Sequence, residues 1–227
     1  MGNGFITVRS NNFGAGPENS VLVLPLRFNV VFPFVLTPLT IEGEEEIAAI
    51  KRSMNSDREI GLFNRVPEKR QLGDGVEIQF PTFRYREEDL ASVGTLVRIV
   101  KMLTFPDGSL RILVRGLKRI QAREIIGSQA GEGKVIYDVP GDVSDEAPEV
   151  NGLMKNALTQ FQSIAAIAPG IPDEIKIAMA NISDRTRLVD MMADSLGLSY
   201  LEKLGILILP TVLERLRFLS VLLSREL

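Results

Sequence analysis

The chain has 227 residues, 45% hydrophobic and 24% charged, with 26 basic against 29 acidic side chains and a formal charge of -3. That is apolar material enough for a substantial core in one large or two modest domains, and the charge balance leaves no global footprint for nucleic acid. Cysteine and histidine are both absent, which excludes disulfides, thiol nucleophiles, zinc sites with Cys or His ligands, and histidine acid–base catalysis.

Residues 1–20 carry Arg9 and several Gly and Asn, without the apolar stretch of a signal peptide or the repeated arginines of a transit sequence. They are expected to form a flexible arm. No uninterrupted apolar run reaches membrane-spanning length, so a cytoplasmic location is the default expectation. From Val21 to about Val143 the pattern predicts mainly strands. Val21 to Leu26 is apolar, and Pro25, which lacks an N–H, requires an edge or a break there. Pro33 and Pro38 push Phe32 and Thr37 toward extended geometry. Glu44 to Met54 reads as a helix with Ile47, Ile50 and Met54 on one face, and Ile60 to Phe63 as the next strand.

A long segment rich in Gly, Pro and charge then runs from Asn64 to Leu90, and loops of this length are uncommon unless functional. It contains Phe80, Pro81, Phe83 and Tyr85. Exposed, these large rigid side chains suit an extended apolar peptide; folded inward, they would complete the β core. Val93 to Leu103 and Leu110 to Leu117 predict a hairpin reversed by Pro106-Asp107-Gly108. On its second arm Leu110, Ile112 and Val114 alternate with Arg111, Leu113 and Arg115. Arg111, Arg115, Lys118, Arg119 and Arg123 form the densest basic stretch, without the interleaved aromatics that stack bases. Val135 to Val139 reads as the last strand.

The composition then becomes helical. Val150, Leu153, Met154, Leu158, Phe161 and Ile164 share a helical period over residues 148–167, and Pro169-Gly170 stops it. Ile175 to Ile182 and Thr186 to Leu196 predict two short helices, the second with Ser183 or Asp184 as its N-cap. Ser199 with Glu202, and Thr211 with Glu214, have capping-box spacing. The final helix presents Leu216, Leu219 and Leu223 along one face, widened by Phe218, Val221 and Leu222. Such a face fits either its own bundle or another molecule. No Walker loop is present: Gly127 to Lys134 has Val135 where the hydroxyl is required. The carboxylate runs at Glu44–Glu46, Glu87–Asp89 and Asp145-Glu146 read as solvated surface. No catalytic residue, metal site or cofactor is expected.

Leu24-Pro25-Leu26-Arg27, Val31-Phe32-Pro33, Val93-Gly94-Thr95, Pro106-Asp107-Gly108 and Leu113-Val114-Arg115-Gly116, in that order, resemble the signature segments of the amino-terminal, substrate-binding domain of the ATP-dependent protease Lon family. Asp184, Arg187, Leu188 and Asp190 resemble its D-x-x-R-L-x-D step, and Leu201-Glu202-Lys203 and Glu214-Arg215-Leu216 its later helical steps. Three departures stand out: Phe34 where glycine often follows V-F-P, Glu42-Gly43-Glu44 in place of a G-R pair, and Ala91 where an aromatic often follows the Asp-Leu step, here Asp89-Leu90. The resemblance implies an α+β chain, with a β-rich PUA-like barrel subdomain at 21–143 and an α-helical bundle at 144–227. In a longer protein the bundle would lead into a coiled-coil arm.

The resemblance also implies a non-catalytic role in protein quality control: recognising unfolded or degron-bearing polypeptides and helping to assemble a homo-oligomeric ATP-dependent protease. AAA+ and protease domains would then lie in cis. On this reading Phe80, Pro81, Phe83 and Tyr85 are candidate substrate-binding residues, and Leu216, Phe218, Leu219, Leu222 and Leu223 a candidate interaction face. Neither nucleic acid nor a membrane is an expected partner. The alternative is a free-standing Lon-domain protein with an RNA-binding or other interaction role through its PUA-like half.

Overall fold

The computed structural model describes residues 19–68, 79–127, 133–141, 148–168 and 170–226. The strands are β1 (Ser20–Leu26), β2 (Leu36–Ile41), β3 (Glu59–Asn64), β4 (Thr82–Tyr85), β5 (Glu88–Ala91), β6 (Val93–Thr104), β7 (Leu110–Ile126) and β8 (Lys134–Asp138). Helix α1 (Glu44–Ser53) lies between β2 and β3; α2 (Pro148–Ile167), α3 (Asp173–Ala180), α4 (Arg185–Ser195), α5 (Tyr200–Ile208) and α6 (Val212–Glu226) follow the strands. The class is α+β, as the sequence pattern predicts. Of the arm expected over residues 1–20, residues 1–18 lie outside the described residues, and Ser20 already belongs to β1.

The main sheet runs β2-β7-β6-β3-β1-β8, and β7 pairs with β8 as well. The ladder therefore closes on itself through β7, β6, β3, β1 and β8, with β2 added outside the ring. Length makes this closure possible: β7 pairs with β6 up to Gln121 and with β8 from Gln121 onward. Irregularities between Leu96 and Val97, and between Ala122 and Glu124, bend the ladders, as closing a small barrel requires. Pro25 behaves as its chemistry demands. Its strand pairs with β3 throughout Val23–Leu26 but with β8 only over Ser20–Leu22, so its missing N–H faces a side that β8 has left.

Alternation along β1 divides the β-rich part into two clusters. Leu24 and Leu26 pack with Val31, Ile50, Leu62, Ile99 and Ile112, whereas Val21 and Val23 pack with Phe63, Tyr85, Leu90 and Ile120. The 64–90 segment corrects the expectation of an unstructured loop: β4 and β5 form a two-stranded hairpin that covers the second cluster. Residues 69–78 of that segment lie outside the described residues, as do 128–132 of the glycine-rich stretch and the Asp145-Glu146 pair.

The signature segments hold one another. Thr95 donates its hydroxyl to the Val31 carbonyl at 2.7 Å. A side chain at Gly94 would meet the Leu62 carbonyl and the Phe63 ring, and one at Gly116 the Phe32 carbonyl, so both glycines permit close backbone approach. In the helical part Asp184 caps α4 by accepting from the Arg187 N–H, and the Ser199–Glu202 capping box opens α5. Thr211 and Glu214 make the reciprocal pair at the start of α6. Arg215, fully buried, donates to the Leu209 and Pro210 carbonyls at the end of α5.

Arg119, a member of the densest basic stretch, does not contribute to a basic surface. It is buried, makes a bidentate pair with Asp190 of α4 at 2.7 and 2.6 Å, and donates to the Leu207 carbonyl of α5 at 3.0 Å. Arg123 is also taken, by Asp138 at 3.4 Å. Tyr200 adds a second tie between strands and helices, donating to the Arg65 carbonyl at 2.7 Å.

Candidate functional site

Of the two readings open to the aromatic segment, an exposed peptide site or a fold back onto the core, the structure takes the second. Phe80 is 6% exposed and packs with the helical core, and Tyr85 is buried beside Leu90. Phe83 is half-buried, edge-on to Phe63 with ring centroids 5.2 Å apart; of the four candidate residues only Pro81 is exposed. The physical reason is the β4–β5 hairpin, whose alternation directs Phe83 and Tyr85 to the strand cluster. The α6 face is likewise filled from within: Leu216, Leu219, Leu222 and Leu223 are buried in the helical core, and Phe218 is packed against it. Val221, 62% exposed, lies off that face.

The exposed aromatic surface is instead on the loop joining β1 to β2. Val30, Val31 and Phe32 are buried there, and the backbone is held by Thr95 and by Asn64, whose side-chain amide donates to the Asn29 carbonyl at 2.7 Å. With those residues committed inward, Phe28 is 84% exposed and Phe34 42%. Phe34 has φ of 66° while its N–H donates to the Gly116 carbonyl at 2.9 Å. A bulky L-residue in that left-handed conformation costs about 1–2 kcal/mol, which explains why glycine suits the position after V-F-P. The Arg187 guanidinium of α4 sits 5.8 Å from the Phe34 ring centroid, so the loop extends from the barrel to the first turn of α4.

Beside this loop, Pro25, Arg27, Glu46, Tyr85, Arg86, Glu87 and Glu88 line a cleft of about 380 Å³. Its charges are mostly internally paired: Arg27 and Arg65 both reach Glu88, and Arg86 reaches Glu45. Burial raises the Tyr85 phenol above its ordinary value, outweighing Arg86 beside it, so the hydroxyl stays protonated at neutral pH. The cleft's described residues present no activated base or nucleophile. Among the described residues, no group of three or more carboxylate, His or Cys side chains could hold a metal ion, and no helix is long and apolar enough to cross a membrane.

A family model for the substrate-binding domain of ATP-dependent protease La (LON) matches residues 20–225. The chain belongs to the Lon substrate-binding domain family. Lon protease of Dictyoglomus thermophilum is 32% identical over 206 residues, covering 90% of this chain and 24% of that protein. Lon protease of Escherichia coli K12 is 31% identical over 217 residues, covering 92% and 26%. The chain thus spans about a quarter of the length of these curated relatives. The N-terminal domain of Mycobacterium avium complex Lon protease shares the fold with a TM-score of 0.67 at 20% identity, covering 92% of this chain and all of that one. The Lon N-terminal domain protein of Xanthomonas campestris does so with 0.58 at 18%, covering 89% and 98%.

In this Lon domain the helical motif residues are scaffold devices. Asp184 caps α4, Leu188 is core, Asp190 anchors Arg119, and Lys203 donates to the Asp194 carbonyl at 2.8 Å. Arg187 differs, being exposed and turned toward Phe34. Sequence reasoning missed Phe28, which follows the L-P-L-R segment and carries no local signal of its exposure. Phe34 had left a signal, as a departure from the glycine common at its position.

Proposed function

We propose that this chain is the substrate-recognition part of a Lon-type ATP-dependent protease, binding unfolded or degron-bearing polypeptides and contributing to assembly of a homo-oligomer. ATP hydrolysis and peptide cleavage would reside in other domains in cis, in the cytoplasm, with this domain supplying no catalytic group. The observation that carries the reading is the β1–β2 loop. Phe28 and Phe34 stay exposed on a backbone tethered at Asn29, Val31 and Phe34. A pre-ordered apolar surface binds at lower entropic cost than a mobile one, and aromatic side chains carry much of the energy of such contacts. The 80–85 segment and the α6 leucines enter this reading as supports behind the loop, Pro81 excepted.

Titrating the 227-residue chain with a labelled, uncharged, aromatic-rich peptide and following fluorescence anisotropy tests the reading. Saturable binding that Phe28→Ser with Phe34→Gly weakens about tenfold supports it. No binding at high micromolar peptide, or equal binding by the double variant, overturns the assignment of the loop.

A further inference from the structure

The outer face of the three strands β2, β7 and β6 forms a second surface of different chemistry. The inward residues of these strands, Leu39, Ile112, Val114 and Ile99 among them, are core, so their alternate neighbours point away from it. Register brings those neighbours into cross-strand rows. Leu36, Arg115 and Arg98 form one row, Pro38, Leu113 and Lys101 the next, and Thr40, Arg111 and Leu103 the third. All are exposed except Leu113, which is half-buried at the centre.

Aliphatic and cationic side chains interleave across this face, and none of the nine is acidic. The surrounding groups leave its charge only partly answered. Glu59 pairs with Arg98 at 2.6 Å from the neighbouring strand. Arg111 lies over the Phe105 ring at 4.0 Å and acts on Asp107, whose carboxylate is held by Ser109. Lys101 and Arg115 have no carboxylate within ion-pair reach among the described residues. Arg115 is moreover directly opposite Arg98 in the ladder, a like-charge pairing that costs stability unless an anion sits between or above it. The chain as a whole is net negative, so this cationic face is a local feature.

We propose that this face docks acid-rich apolar polypeptide segments, with carboxylates set against Lys101, Arg111 and Arg115 and aliphatic side chains against Leu36, Leu113 and Leu103. This deepens the polypeptide-binding reading, on which it rests, by naming a substrate class and a surface separate from the aromatic loop. The charge pattern selects an anionic partner. The aliphatic centre favours peptide over nucleic acid, since Leu113 and Pro38 offer nothing to a phosphate and the face has no free aromatic to stack a base. Strand addition is disfavoured because Pro38 removes a donor from the edge strand β2. The ligand lies across the face.

The test compares three labelled probes on the 227-residue chain by anisotropy at low and high salt: a peptide alternating Asp or Glu with Leu or Val, its Asn/Gln counterpart, and oligouridine RNA of matched charge. The expected result is that the acidic peptide binds best, that high salt weakens it, and that Lys101→Glu with Arg115→Glu weakens it about tenfold or more. Phe28→Ser with Phe34→Gly should leave this binding intact, so loss of loop binding alone strikes the loop and not this face. Unchanged acidic-peptide affinity in the charge-reversed chain overturns the proposal, as does RNA displacing the peptide at equal charge. If charge reversal impairs folding by circular dichroism, Lys101→Gln with Arg115→Gln must show the same loss in smaller degree, and equal affinity there again overturns the proposal.

Discussion

Two aromatic segments flank the barrel and meet opposite fates. Residues 80–85 have the composition of a recognition loop, with aromatics alternating with Pro and Arg, yet Phe80 and Tyr85 are buried. Residues 28–36 have the composition of a strand-to-strand connection, yet Phe28 and Phe34 are exposed. The difference lies in what else each segment must satisfy. A hairpin partner on β5 gives the first segment a strand pleat and an apolar cluster to cover. The second has its inward positions taken by Val30, Val31 and Phe32, so its remaining aromatics have nowhere to go but out. Composition names residues capable of recognition; competition for the core decides which of them remain available.

The largest effects are expected on the buried side. Phe80→Ala should cost about 3–5 kcal/mol, because the helical core cannot collapse fully onto the lost ring; urea denaturation measures it, and a loss below 1 kcal/mol would mean the segment is not packed as described. Asp190→Ala should cost a similar amount, about 3–5 kcal/mol, by leaving the Arg119 guanidinium buried without its carboxylate. Because that pair joins strands to helices, its loss should also separate the unfolding of the two, seen as non-coincident near-UV and far-UV transitions.

On the exposed side the effects move from stability to binding. Phe28→Ser should change stability by less than about 0.5 kcal/mol while weakening an uncharged aromatic peptide several-fold. Phe34→Gly relieves the left-handed strain, about 1–2 kcal/mol, against greater unfolded-chain entropy of about 0.4–1 kcal/mol and the lost Arg187 contact. The net change should stay under about 1 kcal/mol, and peptide binding should still fall; a calorimetric melt beside a titration separates the two.

The smallest expected effect is a pH dependence in the helices. Burial alone would raise the Glu202 carboxyl, but hydrogen bonds from Arg225 at 2.5 Å and from the Ser199 N–H at 2.7 Å outweigh it and hold the group below its ordinary value. A depressed carboxyl contributes stability that is present above the unfolded value, near 4.3, and lost as pH falls through the folded one. Melting temperature should therefore drop below about pH 4, and Glu202→Gln should flatten that drop; an unaltered profile would show the pair to be idle.

Much of the fold was legible because the relevant physics is local. Helix boundaries follow from Asp184, Ser199 and Thr211, whose side chains cap the nearest backbone N–H groups. The β6–β7 hairpin follows from Pro106-Asp107-Gly108 and the alternation of Leu110, Ile112 and Val114, and the family from the order of its signature segments. The site was less legible. Nothing local distinguishes Arg119 from Arg115, two strand arginines four residues apart, although one is buried against Asp190 and the other faces solvent.

By itself, then, the sequence determined the α+β class, the order of elements, their caps and turns, and the kinship with Lon substrate-binding domains. Those depend on periodicity, on residues within a turn of one another, and on the restrictions of Pro and Gly. Tertiary structure decided the rest: closure of the barrel through the long β7, burial of Phe80 and Tyr85, outward display of Phe28 and Phe34, and the gathering of Lys101, Arg111 and Arg115 on one face. Each depends on which distant surface reaches a side chain first, and that competition is resolved only when the whole chain packs.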